Sequence, residues 1–291
     1  MLHKNGLLLK NFELKKISSF KTGGKAKYYF IPDSIESLKN LLKNYSKDKI
    51  YIVGNFTNIL ASDKGFDGVI ISLKGFGNYL LKEKNTIISG AAVSLKNLID
   101  FSINNNLGGL ENLYGIPGSV GGAVFMNAGA FNKEIGENVE YVKFLTYKGE
   151  EGILTKKEIR FGYRTAKPLD EYIIIEVALK LHFENSEKIL KRALEILKRR
   201  DRKQPLEFPS AGSVFKRPGE NIYAGELIEK SGCKGLRVGD AMVSEKHSNF
   251  IINLGNATSK EIFTLIKIVQ DRVYEKFKIK LEPEIKFLGE F

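Results

Sequence analysis

The stretch from Gly115 to Gly129, GIPGSVGGAVFMNAG, limits what this chain can fold into more than any other. It holds five glycines and one proline among residues that are otherwise small and apolar. A flexible linker would be polar instead. Glycine serves where φ must be positive or where the backbone must lie against something with no Cβ between. Pro117 sets one φ in advance, so the loop is shaped rather than loose. Successive N–H groups in such a loop form a concave donor surface that suits phosphate oxygens. A tight turn within a buried strand pair is the plainer alternative, but such a turn needs only about one or two glycines.

Composition narrows the partner. With 291 residues the chain has room for two or three domains, and 43% hydrophobic with 27% charged residues is the balance of a globular protein. A net charge of +12 suits nucleic acid, an anionic membrane surface or anionic small molecules. Lysines are scattered along the whole length, and no helix-turn-helix or aromatic-basic RNA module is present. A nucleic-acid partner is therefore not expected. The single cysteine, Cys233, excludes an internal disulfide and fits a reducing compartment. His3, His182 and His247 are far apart, so no metal-ligand spacing is visible. The first residues lack the apolar core of a signal peptide, and no apolar run approaches the ~20 residues of a membrane span. A soluble cytoplasmic protein without membrane insertion, acting as a monomer, is the expectation.

Periodicity and turn chemistry place the elements. Tyr28 to Ile31, Ile50 to Val53, Gly68 to Leu73 and Thr86 to Ser89 read as strands. Asp33 with Glu36 forms a capping box ahead of Ile35, Leu38, Leu41 and Leu42 at helical spacing. Ser94 caps a helix with Leu95, Leu98 and Ile99 on one face. Lys148-Gly149-Glu150 joins Val139 to Tyr147 with Gly152 to Leu154 as a hairpin, and Tyr172 to His182 is a long β run. Glu187 to Lys203 is a helix with Ile189, Leu190, Ala193, Leu194 and Leu197 inward, ended by Pro205. Thr258 and Glu261 cap a long helix lined by Ile262, Leu265, Ile266, Val269, Val273 and Phe277. Ile285 to Leu288 is the last strand.

Two glycine loops follow strands: Gly54-Asn55-Phe56-Thr57-Asn58 and the central stretch. Neither has the spacing of a compact dinucleotide fingerprint or the Gly-Lys-Ser/Thr end of a P-loop. Both combine backbone donors with Thr57, Asn58, Ser119 and Asn127, which is what a diphosphate needs.

These segments, in this order, resemble the UDP-N-acetylenolpyruvoylglucosamine reductases over nearly the full length. The resemblance rests on Thr22-Gly23-Gly24, Gly54 to Asn58, Gly115 to Gly129, Gly162-Tyr163-Arg164, Gly212 to Pro218, Gly225 to Leu236 and Glu282-Pro283-Glu284-Ile285. It implies an α+β fold: a two-lobed FAD-binding module of the vanillyl-alcohol-oxidase type, with a C-terminal α+β substrate-binding domain. The ranges are residues 1–75 and 76–186 for the two lobes and 187–291 for the substrate domain. The family has a class with an inserted tyrosine-bearing loop, and this chain resembles the class without it. The implied activity is NADPH-dependent reduction of an enolpyruvyl UDP-sugar through non-covalent FAD, in the making of UDP-N-acetylmuramate for peptidoglycan. No metal is implied.

The resemblance also implies residue roles. Cofactor contacts fall on Gly54, Asn55, Phe56, Thr57, Asn58 and Ile59, and on Gly115, Pro117, Gly118, Ser119, Gly121, Gly122, Ala123, Asn127 and Gly129. Arg164, Ser213 and Glu284 are catalytic. Hydride addition leaves negative charge on an enolate beside a carboxylate, where the planar fork of Arg164 can grip two oxygens. Ser213 matches the proton donor, although its spacing alone would make it a turn residue. Glu284 matches the C-terminal acid, but alternation puts Glu282 on the same strand face, so only the motif separates them. Lys203, Lys216 and Arg217 are placed to meet the UDP-sugar diphosphate, while Arg199 and Arg200 are read as offsets to the helix dipole. Four positions depart from the family pattern. Asn55 and Phe56 stand where glycines are usual, Ala166 where serine is preferred, and Asp240 where a second glycine is common.

Overall fold

The computed structural model describes residues 2–3 and 6–291. Contacts group the chain into two units whose segments alternate along the sequence. The first holds the N-terminal strand up to Lys10 together with Tyr28–Asn55 and Gly68–Arg200. The second holds Asn11–Lys27, Phe56–Asp67 and Asp201–Phe291. Strands Gly6–Glu13, Lys25–Pro32 and Phe66–Ser72 run across the borders between these segments.

The first unit carries two five-stranded sheets. One has the order Leu2–His3, Gly6–Glu13, Lys25–Pro32, Phe66–Ser72, Ile50–Val53, with its last pair parallel. The other is antiparallel throughout, in the order Glu151–Thr155, Val139–Leu145, Ile173–Lys180, Thr86–Gly90, Leu80–Glu83. The expected hairpin around Gly149 forms, with Tyr141 opposite Thr155 and Leu145 opposite Glu151. Helix α1 (Ile35–Asn44) starts one residue later than its acidic box suggests. Ser34, not Asp33, is the cap: its hydroxyl accepts from Ser37 N at 3.2 Å and donates to Asp33 at 3.0 Å. Helix α2 (Leu95–Asn104) is capped by Ser94 and buries Leu95, Leu98 and Ile99, as its spacing predicts. Inside the glycine stretch, Val120–Phe125 forms a short helix, α3. Glycine is a poor helix former, but Gly121 lets this turn lie against Ala91, where a Cβ would come within 2.9 Å of the alanine methyl. Packing decides here against local preference.

Helix α4 (Ser186–Lys203) begins two residues after strand His182–Phe183, which leaves no room for an inserted loop. Its buried face is Ile189, Ala193, Ile196 and Arg200. Leu190 and Leu194, expected inward, are exposed by 41% and 43%. One residue along a helix is a rotation of about 100°, so the face through Ile189 and Ala193 turns both leucines out. Arg192 anchors the helix with Nη1 on Glu184 at 2.7 Å and Nη2 on Glu111 at 2.7 Å. Glu111 in turn accepts from Gly109 N at 2.8 Å, just ahead of the central glycine stretch. Against the cost of burial, the Gly109 N–H and after it Arg192 hold the Glu111 carboxyl below its ordinary range, and pairing with Arg192 holds that of Glu184 at about 2.

The second unit packs α5 (Ala224–Lys230) and α6 (Ser259–Phe277) around a core that includes Phe20, Leu60, Val214, Phe215, Ile228, Leu265 and Ile266. The capping box of α6 forms as read, with Thr258 accepting from Glu261 N at 3.1 Å and Glu261 accepting from Thr258 N at 2.9 Å. A three-stranded antiparallel sheet runs Arg237–Val238, Ala241–Val243, Ile251–Asn253. The last strand, Lys286–Leu288, pairs in parallel with Ile59–Ala61, directly after the first glycine loop. Mixed helix and sheet, with strands mostly antiparallel, make the fold α+β. Among the described residues no helix is long and apolar enough to cross a membrane.

Candidate active site

In the first unit the two glycine stretches touch. A Cβ on Gly54 would lie 2.3 Å from the Ser119 hydroxyl, so any side chain there would have to push that hydroxyl off its cap. Ser119 is buried and caps α3, its oxygen accepting from Gly122 N at 3.2 Å. The N–H groups that follow are used within the protein: Val120 donates to Val93 O at 2.8 Å, Gly121 to Ala91 O at 2.9 Å and Ala123 to Ser119 O at 2.8 Å. The donor row is thus shorter than the sequence suggests. Gly118, with φ +150°, and Ser119 precede it. A Cβ on Gly122 would meet only the Ser119 hydroxyl, at 3.3 Å, so its outer side lets another group approach closely.

Arg164 sits in a two-residue turn joining strands Arg160–Gly162 and Thr165–Lys167. Its φ is +57°, a conformation costing an ordinary residue about 1–2 kcal/mol. The guanidinium reaches Gly129 O at 3.3 Å and lies 4.9 Å from the centre of the Tyr163 ring. Asn127 holds this turn from below. Its amide donates to Gly162 O at 3.0 Å and to Glu134 Oε2 at 2.5 Å, and its oxygen accepts from Gly136 N at 3.0 Å. Asn127 is fully buried, and these bonds occupy its amide inside the protein.

The helix-dipole reading of Arg200 does not hold. This residue is only 8% exposed, beside Gly115, where a Cβ would stand 3.1 Å from its Cδ. Burial, and after it the charge of Arg164, pushes its guanidinium down to about 10. The two ends of the glycine stretch thus each carry an arginine, Arg200 beside Gly115 and Arg164 on Gly129 O. Spacing could have found Arg200: it follows Ile189, Ala193 and Ile196 at the interval of one helix face. Arg199, by contrast, lies over the Phe131 ring at 4.3 Å.

In the second unit three extended segments lie side by side. Val214 N donates to Asn249 O at 2.8 Å, and Glu284 N donates to Val214 O at 2.7 Å. Ser213 bridges to Phe250, and Phe215 to Pro283. Ser213 and Glu284, 71 positions apart by number (284 − 213), are thereby on neighbouring extended segments. Asn58 joins the same assembly, its amide donating to Glu284 O at 3.2 Å and its carbonyl accepting from Lys286 N at 2.9 Å. Gly212 has φ +76°, and a Cβ there would meet nothing within 4 Å. The glycine is needed for conformation, and the space beside Ser213 is open.

The basic residues of this unit differ among themselves. Lys216 pairs with Glu282 at 2.5 Å, which separates Glu282 from Glu284 in a way that alternation could not. Lys203 and Arg217 are exposed. The charge of Lys203 bears on His247, whose imidazole is held below its ordinary pKa chiefly by burial. His247 Nδ1 accepts from Asn249 N at 3.2 Å, which leaves its proton on Nε2 when neutral.

Three of the four departures from the family pattern have physical accounts. Phe56 is 2% exposed and has φ +60°, so it keeps a glycine-like backbone while its ring enters the interior. Replacing it with glycine should relieve about 1–2 kcal/mol of strain but lose the about 3–5 kcal/mol of a buried phenyl group. A net loss of about 1–4 kcal/mol is expected by urea unfolding; a variant as stable as the parent would show that the ring contributes no more than the strain it imposes. Ala166 is buried in the apolar core of the first unit, where a methyl group fits without a partner. Asp240 accepts from Asn256 N at 3.0 Å and so closes its own loop.

Comparison with known proteins agrees with this architecture. Residues 204–288 match the family described as UDP-N-acetylenolpyruvoylglucosamine reductase, C-terminal domain, and residues 26–153 match an FAD binding domain. The chain is 46% identical to the UDP-N-acetylenolpyruvoylglucosamine reductase of Clostridium kluyveri, over 95% of this chain and 91% of that one. It is 43% identical to the enzyme of the same name from Clostridium botulinum, over 98% and 94%. The crystal structure of UDP-N-acetylenolpyruvylglucosamine reductase from Thermus caldophilus superimposes with a TM-score of 0.84 at 35% identity, covering 98% of this chain and 99% of that chain.

Proposed function

The chain belongs to the UDP-N-acetylenolpyruvoylglucosamine reductases, and from that premise we propose that it reduces UDP-N-acetyl-3-O-(1-carboxyvinyl)-glucosamine to UDP-N-acetylmuramate. The electron source is NADPH, FAD is held without a covalent link, and the product serves peptidoglycan synthesis. Residues 1–75 and 76–186 act as the two cofactor lobes and 187–291 as the substrate domain. The single cysteine and the family both support a cytoplasmic setting.

The residues present suit FAD. Gly54 against Ser119, and Gly122 with its open outer side, allow a diphosphate to lie close to backbone. Asn55 and the Gly118–Ser119 segment are the donors best placed for it, while Gly121 and Asn127 shape the loop rather than touch the ligand. When bound, FAD supplies the relay by which a hydride from NADPH reaches the enolpyruvyl β-carbon.

The chain's own task is to hold an anion and deliver one proton. The observation that carries the reading is Arg164 in its braced left-handed turn at one end of the glycine stretch, with buried Arg200 at the other end. Two fixed cations near each other favour a carboxylate that becomes part of an enolate, since donors set in advance act most strongly where water is excluded. Ser213 gives its hydroxyl proton to the α-carbon, so that one hydride and one proton together saturate the double bond. A serine hydroxyl is a weak acid, and Glu284, on the adjacent extended segment, supports or relays the transfer. Lys203, Lys216 and Arg217 receive the diphosphate of the sugar nucleotide, with Lys216 exchanging Glu282 for phosphate oxygen.

Purified protein should be yellow and should oxidise NADPH only when the enolpyruvyl sugar nucleotide is added. A colourless protein that takes up no FAD, or NADPH oxidation indifferent to that substrate, would end this reading.

A further inference from the structure

Asn249 carries a geometry that its surroundings do not otherwise require. Its side-chain oxygen accepts from Phe215 N at 3.0 Å, and its side-chain nitrogen donates to Phe215 O at 2.8 Å. The amide thus pairs with one residue's peptide groups as a neighbouring strand would. Its backbone adds two more bonds, from Val214 N to its carbonyl at 2.8 Å and from its own N–H to His247 Nδ1 at 3.2 Å. Asn249 is 8% exposed, and Val214 and Phe215 are buried. On the far side the same two residues are held by Glu284 N on Val214 O and by the bridge between Phe215 and Pro283. The residue just before this doubly clamped pair is Ser213, on the flank where Gly212 leaves open space.

We infer that Asn249 is a positioning residue for Ser213, fixing the direction in which the serine hydroxyl points during proton delivery. The inference rests on the proposed role of Ser213. A regular sheet ladder would hold Val214 and Phe215 equally well for stability, but the segment from His247 to Phe250 turns too tightly to supply backbone partners at both residues. The side-chain amide replaces the missing peptide. It is suited to this because it offers an acceptor and a donor in one plane, the same pattern as a peptide group. Without it, Phe215 keeps only part of its pairing, and the strand can rotate about Val214. A displacement of about 1 Å at a reacting group is enough to lose on the order of 10²-fold in rate.

The experiment uses the FAD-loaded enzyme and separates its two half-reactions by stopped flow. In Asn249→Ala, bleaching of the flavin by NADPH should stay within about twofold of the parent, whereas reoxidation by the enolpyruvyl sugar nucleotide should slow on the order of 10²-fold. The solvent deuterium isotope effect on reoxidation should rise, because proton delivery then limits the step. Asn249→Asp keeps the acceptor and the shape but cannot donate to Phe215 O when ionised. It should show the same split, and it carries the test if the alanine variant does not fold. Ser213→Ala is measured beside them. If it is slow in reoxidation while both folded Asn249 variants reoxidise at the parental rate, the positioning role is refuted. An equal loss in both half-reactions would refute it too. If Ser213→Ala itself reoxidises at full speed, the role of Ser213 fails first and the inference falls with it.

Discussion

Ser213→Ala enzyme should still be bleached by NADPH and then fail to recover its colour at a normal rate when the sugar nucleotide is added. A placed general acid contributes ~10²–10⁴-fold, and reoxidation should slow by that factor. Hydride loading needs no proton from Ser213, which lies in the second unit on the extended segment next to that of Glu284. The predicted split is therefore between half-reactions and not a uniform loss. Ser213 also makes no demand on the core: it is half-buried, and the adjacent Val214 and Phe215 carry the packing. The melting temperature of the variant should match the parent's, so slowed reoxidation could not be assigned to misfolding. Parental turnover in Ser213→Ala would remove this residue from the chemistry.

The second large effect concerns Arg200. Arg200→Met keeps an unbranched stem of similar length against Leu197 and Gly115 but removes the charge. If two cations grip the substrate carboxylate, a charge-assisted hydrogen bond worth about 1.5–3 kcal/mol is lost. That corresponds to a fall in kcat/KM on the order of 10–10²-fold. Stability should respond differently. Burial and Arg164 both disfavour the Arg200 charge in the folded protein, so neutralising it relieves a cost that offsets whatever local bonds are lost. The melting temperature should hold within about 4 °C, while the rise in melting temperature caused by the sugar nucleotide should shrink. Arg200→Lys should recover part of kcat/KM, since it restores the charge without the planar fork. A folded Arg200→Met enzyme with parental kcat/KM would assign Arg200 to structure alone.

Arg200 and Asn249 illustrate different limits of sequence reading. Arg200 lies on a helix whose inward face is apolar, and its register with Ile189, Ala193 and Ile196 is visible in the chain. Weight on the two leucines, Leu190 and Leu194, pulls that face round and hides it. Asn249 has no such local signal. Its partner, Phe215, is 34 positions upstream, and only the packed strands bring the amide to it. The same holds for Asn127: a small polar residue among glycines suits a ligand loop, yet it is buried and braces the turn that carries Arg164.

The chain alone determined its elements, because hydrophobic period, caps and turn residues act within a few positions of one another. It also determined the family, through short motifs kept in order across nearly the full length, and with it an FAD-linked oxidoreductase of α+β fold. Tertiary structure decided which groups are used up and which remain. The N–H groups of Val120, Gly121 and Ala123 are bonded to protein, Lys216 is paired with Glu282, and Arg200 is buried near Arg164. The physical reason is that a hydrogen-bonding group or charge gains its chemical character from what surrounds it once water has been removed, and those surroundings come from residues distant in the chain.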